Sequence, residues 1–395
     1  MLFLSHAVQA SALLLIPSVL GAYSLQDDYT TSSFASMFDF FTADDPTKGY
    51  VNYVSQSDAE SQGLFATKNN TVYIGVDSTN VASGRGRDSV RISSKNTYTH
   101  GLIILDLEHM PGGQCGSWPA FWTLGPDWPD WGEIDIIENV NSATGNKVSL
   151  HTDDSCSISS TGSFTGTVDT TNCDWDAVGQ TSNIGCSFEE STPETFGAGF
   201  NAIGGGVYAT EWTSQAISIW FFPRLLIPSD ITSGSPDPSS WGEPLAIFAG
   251  GCDIDNHFKN HQIVFDISMC GDWAGNKWSE DATCSALAST CESFVQNNPS
   301  AFVETYCTST ATSSSDIPTT LQTSTSTAVV IVTTAPPTPT TETSAAPAPE
   351  STSTPPGWQG WNGSRQGWSF EGSSWGQGSG SWGGGGSRRG KNSGA

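Results

Sequence analysis

Between Tyr23 and Cys307 the apolar residues come in short runs rich in Val, Ile, Phe, Trp, Tyr and Thr. Gly, Pro, Asn or Asp interrupts these runs roughly every ten residues. Such punctuation restricts the chain to an all-β fold, a sandwich or barrel, and two packed antiparallel sheets as in a jelly roll would bury the runs. The pattern predicts strands at "TVYIGV" (71–76), "DSVRISS" (88–94), "HGLIILDLE" (100–108), "AFWTL" (120–124), "GEIDIIE" (132–138), "KVSLHT" (147–152), "AISIWFF" (216–222) and "HQIVFDIS" (261–268). One helix is expected near the end, in "CSALASTCESFVQNNPSAFVETYC", interrupted by Pro299.

Composition changes abruptly at residue 308, which divides the 395-residue chain. The expected organisation is a signal peptide (1–22), one folded domain (23–307), a Ser/Thr/Pro-rich linker (308–356) and a Gly/Ser/Trp-rich disordered tail (357–395). The first segment contains "SALLLIPSVLGA", of signal-peptide length and too short to span a bilayer. Ser, Thr and Pro cannot build a core, so the linker reads as an O-glycosylated stalk. In the tail Trp361, Trp368, Trp375 and Trp382 recur at a seven-residue interval, among too much Gly for a helix.

The nine cysteines lack paired C-x-x-C spacing and therefore predict disulfides in an oxidising compartment rather than a zinc site. Their odd number leaves one thiol over, with Cys307 the candidate. Asn69 and Asn362 fit the glycosylation pattern, again as expected of a secreted chain. The formal charge of −26, from 40 acidic against 14 basic residues, would repel phosphates and argues against nucleic acid or an anionic membrane as partner. The expectation is a secreted monomer with no membrane anchor, acting on a neutral substrate.

One stretch carries chemistry. "WGEIDIIENVN" places Glu133, Asp135 and Glu138 two and then three residues apart, a spacing that neither helix nor regular strand turns to one face. A β-bulge at Ile136 and Ile137 would do so, because two bulged residues then oppose a single partner. Three carboxyls crowded on one face repel one another, so at least one holds a proton near neutrality. A protonated carboxyl beside an ionised one is what glycosidic-bond cleavage requires. The competing readings are a Ca²⁺ site, which would draw on backbone oxygens of an irregular loop, a merely solvated acidic face, and a catalytically silent sugar-binding sandwich.

With those residues in view, the chain resembles glycoside hydrolase family 16, and more narrowly the secreted fungal endo-1,3(4)-β-glucanases of laminarinase type. The stretches that carry the resemblance are "DPTKGYVNYVSQ" (45–56), "GRDSVRISS" (86–94), "SWPAFWTLGPDWPDWGEIDIIENVN" (117–141), "SLHT" (149–152), "WFFPR" (220–224) and "HFKNHQIVFDISMCGDWAGNKW" (257–278). The resemblance implies a β-jelly-roll sandwich with an open cleft, β-glucan as substrate and hydrolysis with retention. It puts Glu133 on the nucleophile, Glu138 on the general acid/base and Asp135 on the residue that tunes the nucleophile. It matches His151 to a histidine near the acids, Trp128 and Trp273 to sugar-stacking positions, and Asn52 and Arg87 or Arg91 to polar positions of the cleft.

No cofactor is implied; a structural Ca²⁺ occurs in parts of the family, but no ligand set here identifies one. Related chitin-glucan transferases carry a compact Glu-x-Asp-x-Glu without the extra residue, which weighs against a transglycosylase. The resemblance also implies a closing strand after the helix. Here "VETYC" runs directly into "TSTATSSSD" instead, which predicts an unpaired sheet edge.

Overall fold

The computed structural model describes residues 23–68, 71–310 and 331–334. In chain order its strands begin with β1 (Ser24–Asp28), β2 (Phe38–Phe40), β3 (Val51–Tyr53), β4 (Phe65–Lys68), β5 (Thr71–Gly75), β6 (Arg87–Ser89) and β7 (Arg91–Ser94). There follow β8 (Gly101–Leu107), β9 (Ser117–Leu124), β10 (Glu133–Glu138), β11 (Lys147–His151), β12 (Thr167–Thr170) and β13 (Cys186–Glu189). The last are β14 (Gly206–Trp212), β15 (Ile217–Pro223), β16 (Ala246–Phe248), β17 (Gln262–Met269), β18 (Tyr306–Thr310) and β19 (Ile331–Thr334).

Two antiparallel sheets dominate. One has the order β12-β13-β11-β10-β9-β17-β7-β2 and the other β1-β19-β8-β14-β15-β16. Their burial patterns state the layering. Along β9, "SWPAFWTL", buried residues alternate with half-buried ones, so Phe121 enters the core while Trp118, Ala120, Trp122 and Leu124 line the open face. Phe121 meets Phe265 of β17 at 4.7 Å between ring centres; burying each such side chain contributes about 1.5–3 kcal/mol. By contrast, β8 is buried at every position. Ile103, Leu105 and Leu107 join the central core, whereas Leu102 and Ile104 pack in an outer layer with Val207, Trp220 and Trp241. That is why "HGLIILDLE" reads as a continuous apolar run rather than an alternation.

Four disulfides join Cys115–Cys284, Cys156–Cys252, Cys173–Cys186 and Cys270–Cys291, leaving Cys307 free as expected. Burial pushes the Cys307 thiol up to about 12, so it is not a reactive thiolate at neutral pH. Cys115 precedes β9 and Cys270 follows β17, so their bridges fasten one end of these paired strands to Cys284 and Cys291.

The chain's end differs from expectation. In place of one interrupted helix, short helices at Ala282–Ser285 and Cys291–Asn297 and a 3-10 turn at Pro299–Phe302 lead into β18. β18 pairs with β5, so the expected domain boundary at 307 falls inside a strand. Within the expected linker, β19 pairs with both β1 and β8, occupying the edge that the sequence left open. β19, "IVTT", is β-branched at every position, which suits it to a sheet. The signal segment, Asn69, Asn362, the rest of the linker and the Trp-containing tail lie outside the described residues. Among the described residues no helix is long and apolar enough to cross a membrane.

Candidate active site

The three carboxylates lie on β10, in the middle of the eight-stranded sheet. Its register shifts against both neighbours: Asp135 faces Trp122 but Ile137 faces Phe121, and on the other side Asp135 faces Ser149 while Glu138 faces Lys147. One extra residue is accommodated, and Ile136 and Ile137 are both buried in the core. The bulge read from the spacing is present, and Glu138 returns to the face that carries Glu133 and Asp135. A bulge leaves backbone groups without ladder partners. The Asn146 side chain takes up both, donating from Nδ2 to the Ile136 carbonyl at 2.8 Å and accepting the Glu138 N–H at 3.0 Å.

Burial raises the proton affinity of all three acids. Glu133 is pushed up to about 8 by desolvation and then by the Asp135 charge, with His151 and Arg91 pulling it back. Asp135 rises to about 8 through desolvation and the charge of Asp266. Glu138 likewise rises to about 8 from desolvation and Asp135, opposed by a hydrogen bond from the Trp118 indole N–H to Oε1 at 2.7 Å. Each charge disfavours the next, so the cluster keeps protons at neutrality and titrates as a unit. It can present one anion and one acid side by side.

A fourth carboxylate escaped the sequence reading. Asp266 of β17 accepts from Trp122 Nε1 at 2.9 Å and from the Tyr53 hydroxyl at 3.0 Å. Arg91 lies across from it in the register, with its guanidinium over the rings of Phe41 and Trp122. No local spacing marks Asp266; only the pairing of β17 with β9 brings it to the acids.

The expected binding residues divide. His151 stands opposite Glu133 and puts Nε2 3.2 Å from Asp135 Oδ2, so it belongs to the cluster. Trp273 lies on the turn after Cys270, with its ring 5.5 Å from that of Trp118 at 90°. Trp128 is 39% exposed and tilts against Trp175 at 5.4 Å. Trp175 was not singled out in the sequence; its loop is closed by Cys173–Cys186.

One expectation fails. Arg87 is fully buried, donates to the carbonyls of Val295, Asp77 and Asn80, and lies over the Phe302 ring. It holds loops together and does not line the cleft, which Arg91 does. Asn52 donates to Asp88 at 2.6 Å. It is half-buried on β3, next to Tyr53, whose hydroxyl reaches Asp266.

Glu133, Asp135 and His151 can each offer a ligand atom within 4.8 Å of the others, the only such group found among the described residues. All three belong to the carboxyl cluster of β10 and its facing histidine.

A family profile described as an XgeA-like, catalytic GH16 domain matches residues 38–310. An endo-1,3(4)-beta-glucanase of Arthroderma benhamiae is 52% identical over 286 residues, covering 72% of this chain and 63% of that protein. The chain thus spans less than two thirds of that relative's length. A solved structure of an elongating GH family 16 beta-1,3-glucosyltransferase is 46% identical, with a TM-score of 0.68 over 72% of this chain and 97% of the other. Laminarinase 16A from Phanerochaete chrysosporium, solved with 6-O-glucosyl-laminaritriose in donor and acceptor sites, is 40% identical, with the same TM-score and coverage.

Proposed function

The chain belongs to glycoside hydrolase family 16, and from that premise we propose that it is a secreted, endo-acting β-glucanase. It cuts 1,3- or mixed 1,3/1,4-linked β-D-glucan with retention of configuration. The observation that carries this reading is the bulge that returns Glu138 to the face of Glu133 and Asp135, among half-exposed tryptophans. In the first step the Glu133 carboxylate attacks the anomeric carbon as the glycosidic C–O bond breaks, and the Glu138 proton passes to the leaving oxygen. In the second, the Glu138 anion takes a proton from water, the water oxygen bonds to that carbon, and Glu133 departs as carboxylate. Asp135, beside Glu133 on the same face, tunes the nucleophile through the charge it sets next to it. The apolar leader and the four disulfides support secretion.

Product analysis on laminarin, lichenan, xyloglucan and galactan tests the substrate, with release from the first two expected. NMR of fresh product should show the β-anomer first; an initial α-anomer would rule out Glu133 as nucleophile. Glu133→Gln should abolish sugar release while glucan binding persists, whereas a non-catalytic wall protein would show no release to lose. Transfer to a sugar hydroxyl is the second reading, favoured by the 46% identical elongating transferase. Oligosaccharides longer than the laminari-oligosaccharide supplied would establish it.

A further inference from the structure

We propose that Trp118 is the positioning residue of the acid/base: its indole N–H fixes Glu138 Oε1, so that Oε2 is the oxygen that gives and takes the catalytic proton. This rests on the reading of Glu138 as acid/base. β10 ends at Glu138, opposite Ala120 of β9, and Trp118 lies two residues beyond on the same face of β9. No strand of the ladder intervenes there, so the indole edge reaches the carboxyl and its N–H meets Oε1 at 2.7 Å. An indole N–H only donates. An oxygen that accepts it cannot point a proton along the same line, so a protonated Glu138 carries its proton on Oε2. The bond forms with either protonation state but is stronger to the anion, so it favours release of the proton after burial and neighbouring charges have favoured its retention.

The other groups that face Glu138 cannot supply this selection. Glu133 and Asp135 share its strand, and Asp266 on β17 is a fourth carboxylate. His151 on β11 is directed at Asp135, Lys147 opposite Glu138 is committed to Asp169 and Glu189, and Arg91 on β7 faces Asp266. Trp118 is itself held from behind by the perpendicular ring of Trp273, on the turn that follows the Cys270–Cys291 bridge. The carboxyl is therefore oriented by a packed ring pair and not by a mobile side chain.

The test replaces Trp118 in the full chain by benzothienylalanine, which keeps the ring shape and substitutes sulfur for N–H; Trp118→Phe is the genetic counterpart. Without the donor the Glu138 anion loses a stabilising bond, so its proton affinity rises. The alkaline limb of the kcat/KM profile on laminarin should then move up by about one pH unit, with kcat lowered about tenfold. On a dinitrophenyl glycoside, whose leaving group needs no proton, the first-step burst should survive while steady-state turnover falls. An unmoved limb with equal losses on both substrates would make Trp118 merely structural and overturn the proposal. Should Trp118→Phe not fold, the isosteric variant decides alone. Glu138→Ala run in parallel separates the two ideas: if the alkaline limb persists in that variant, the acid/base reading itself has failed.

Discussion

The side-chain amide of Asn146 accepts the backbone N–H of Glu138 at 3.0 Å while its own N–H₂ holds the Ile136 carbonyl at 2.8 Å. One side chain thus closes the gap that the extra residue opens in the ladder. Asn146→Ala would strand two buried backbone groups at a cost of about 2–4 kcal/mol and let Glu138 swing from its face. Denaturant melts should register the first effect, and a loss of more than about a hundredfold in laminarin hydrolysis the second. A variant as stable and active as the parent would show that the bulge holds without this clamp.

The acid cluster predicts a pH dependence of stability. Glu133 and Glu138 rise from 4.5, and Asp135 from 3.8, to about 8 in the folded state. Folding therefore takes up protons between those limits, and the stabilisation present below about pH 4 is lost as pH rises through about 8. Asp77 and Asp281 move the opposite way, so measurements belong above pH 4.5. Unfolding free energy should fall by a few kcal/mol from pH 5 to pH 9. Glu138→Gln should flatten that slope and stabilise the protein at pH 9; an unchanged slope would refute the shared titration.

Arg87 separates a structural from a binding role. Arg87→Met would leave the Val295, Asp77 and Asn80 carbonyls without their donor and remove the cation from the Phe302 ring. The expected result is a loss of about 3–5 kcal/mol in stability with KM for laminarin within about twofold of the parent. A raised KM at full stability would restore the substrate-binding role.

The closing strand makes a prediction about truncation. A chain ending at Thr310 exposes the facing edges of β1 and β8, which β19 otherwise pairs. It should melt lower by about 5–10 °C and aggregate more readily, while a chain ending at Thr338 should melt like the whole. Equal melting of the two truncations would mean that β19 adds nothing to the sheet.

What the sequence could tell was whatever local periodicity encodes. Alternation located the main strands, and the two-then-three spacing of Glu133, Asp135 and Glu138 required a bulge because no regular backbone gathers them. The odd cysteine count left Cys307 over. Tertiary structure decided the rest, since it depends on which distant strands become neighbours. Nothing within "VFDIS" announces that Asp266 meets Trp122 and Tyr53, and nothing near Trp118 says that β10 stops where its indole can reach Glu138. Arg87 and Arg91 are indistinguishable as neighbours in one strand-like run. The break at Val90 between β6 and β7 sends the first beneath Val295 and the second to the acids. A side chain's type fixes what it can bond to, but only the pairing of remote segments fixes what is within reach.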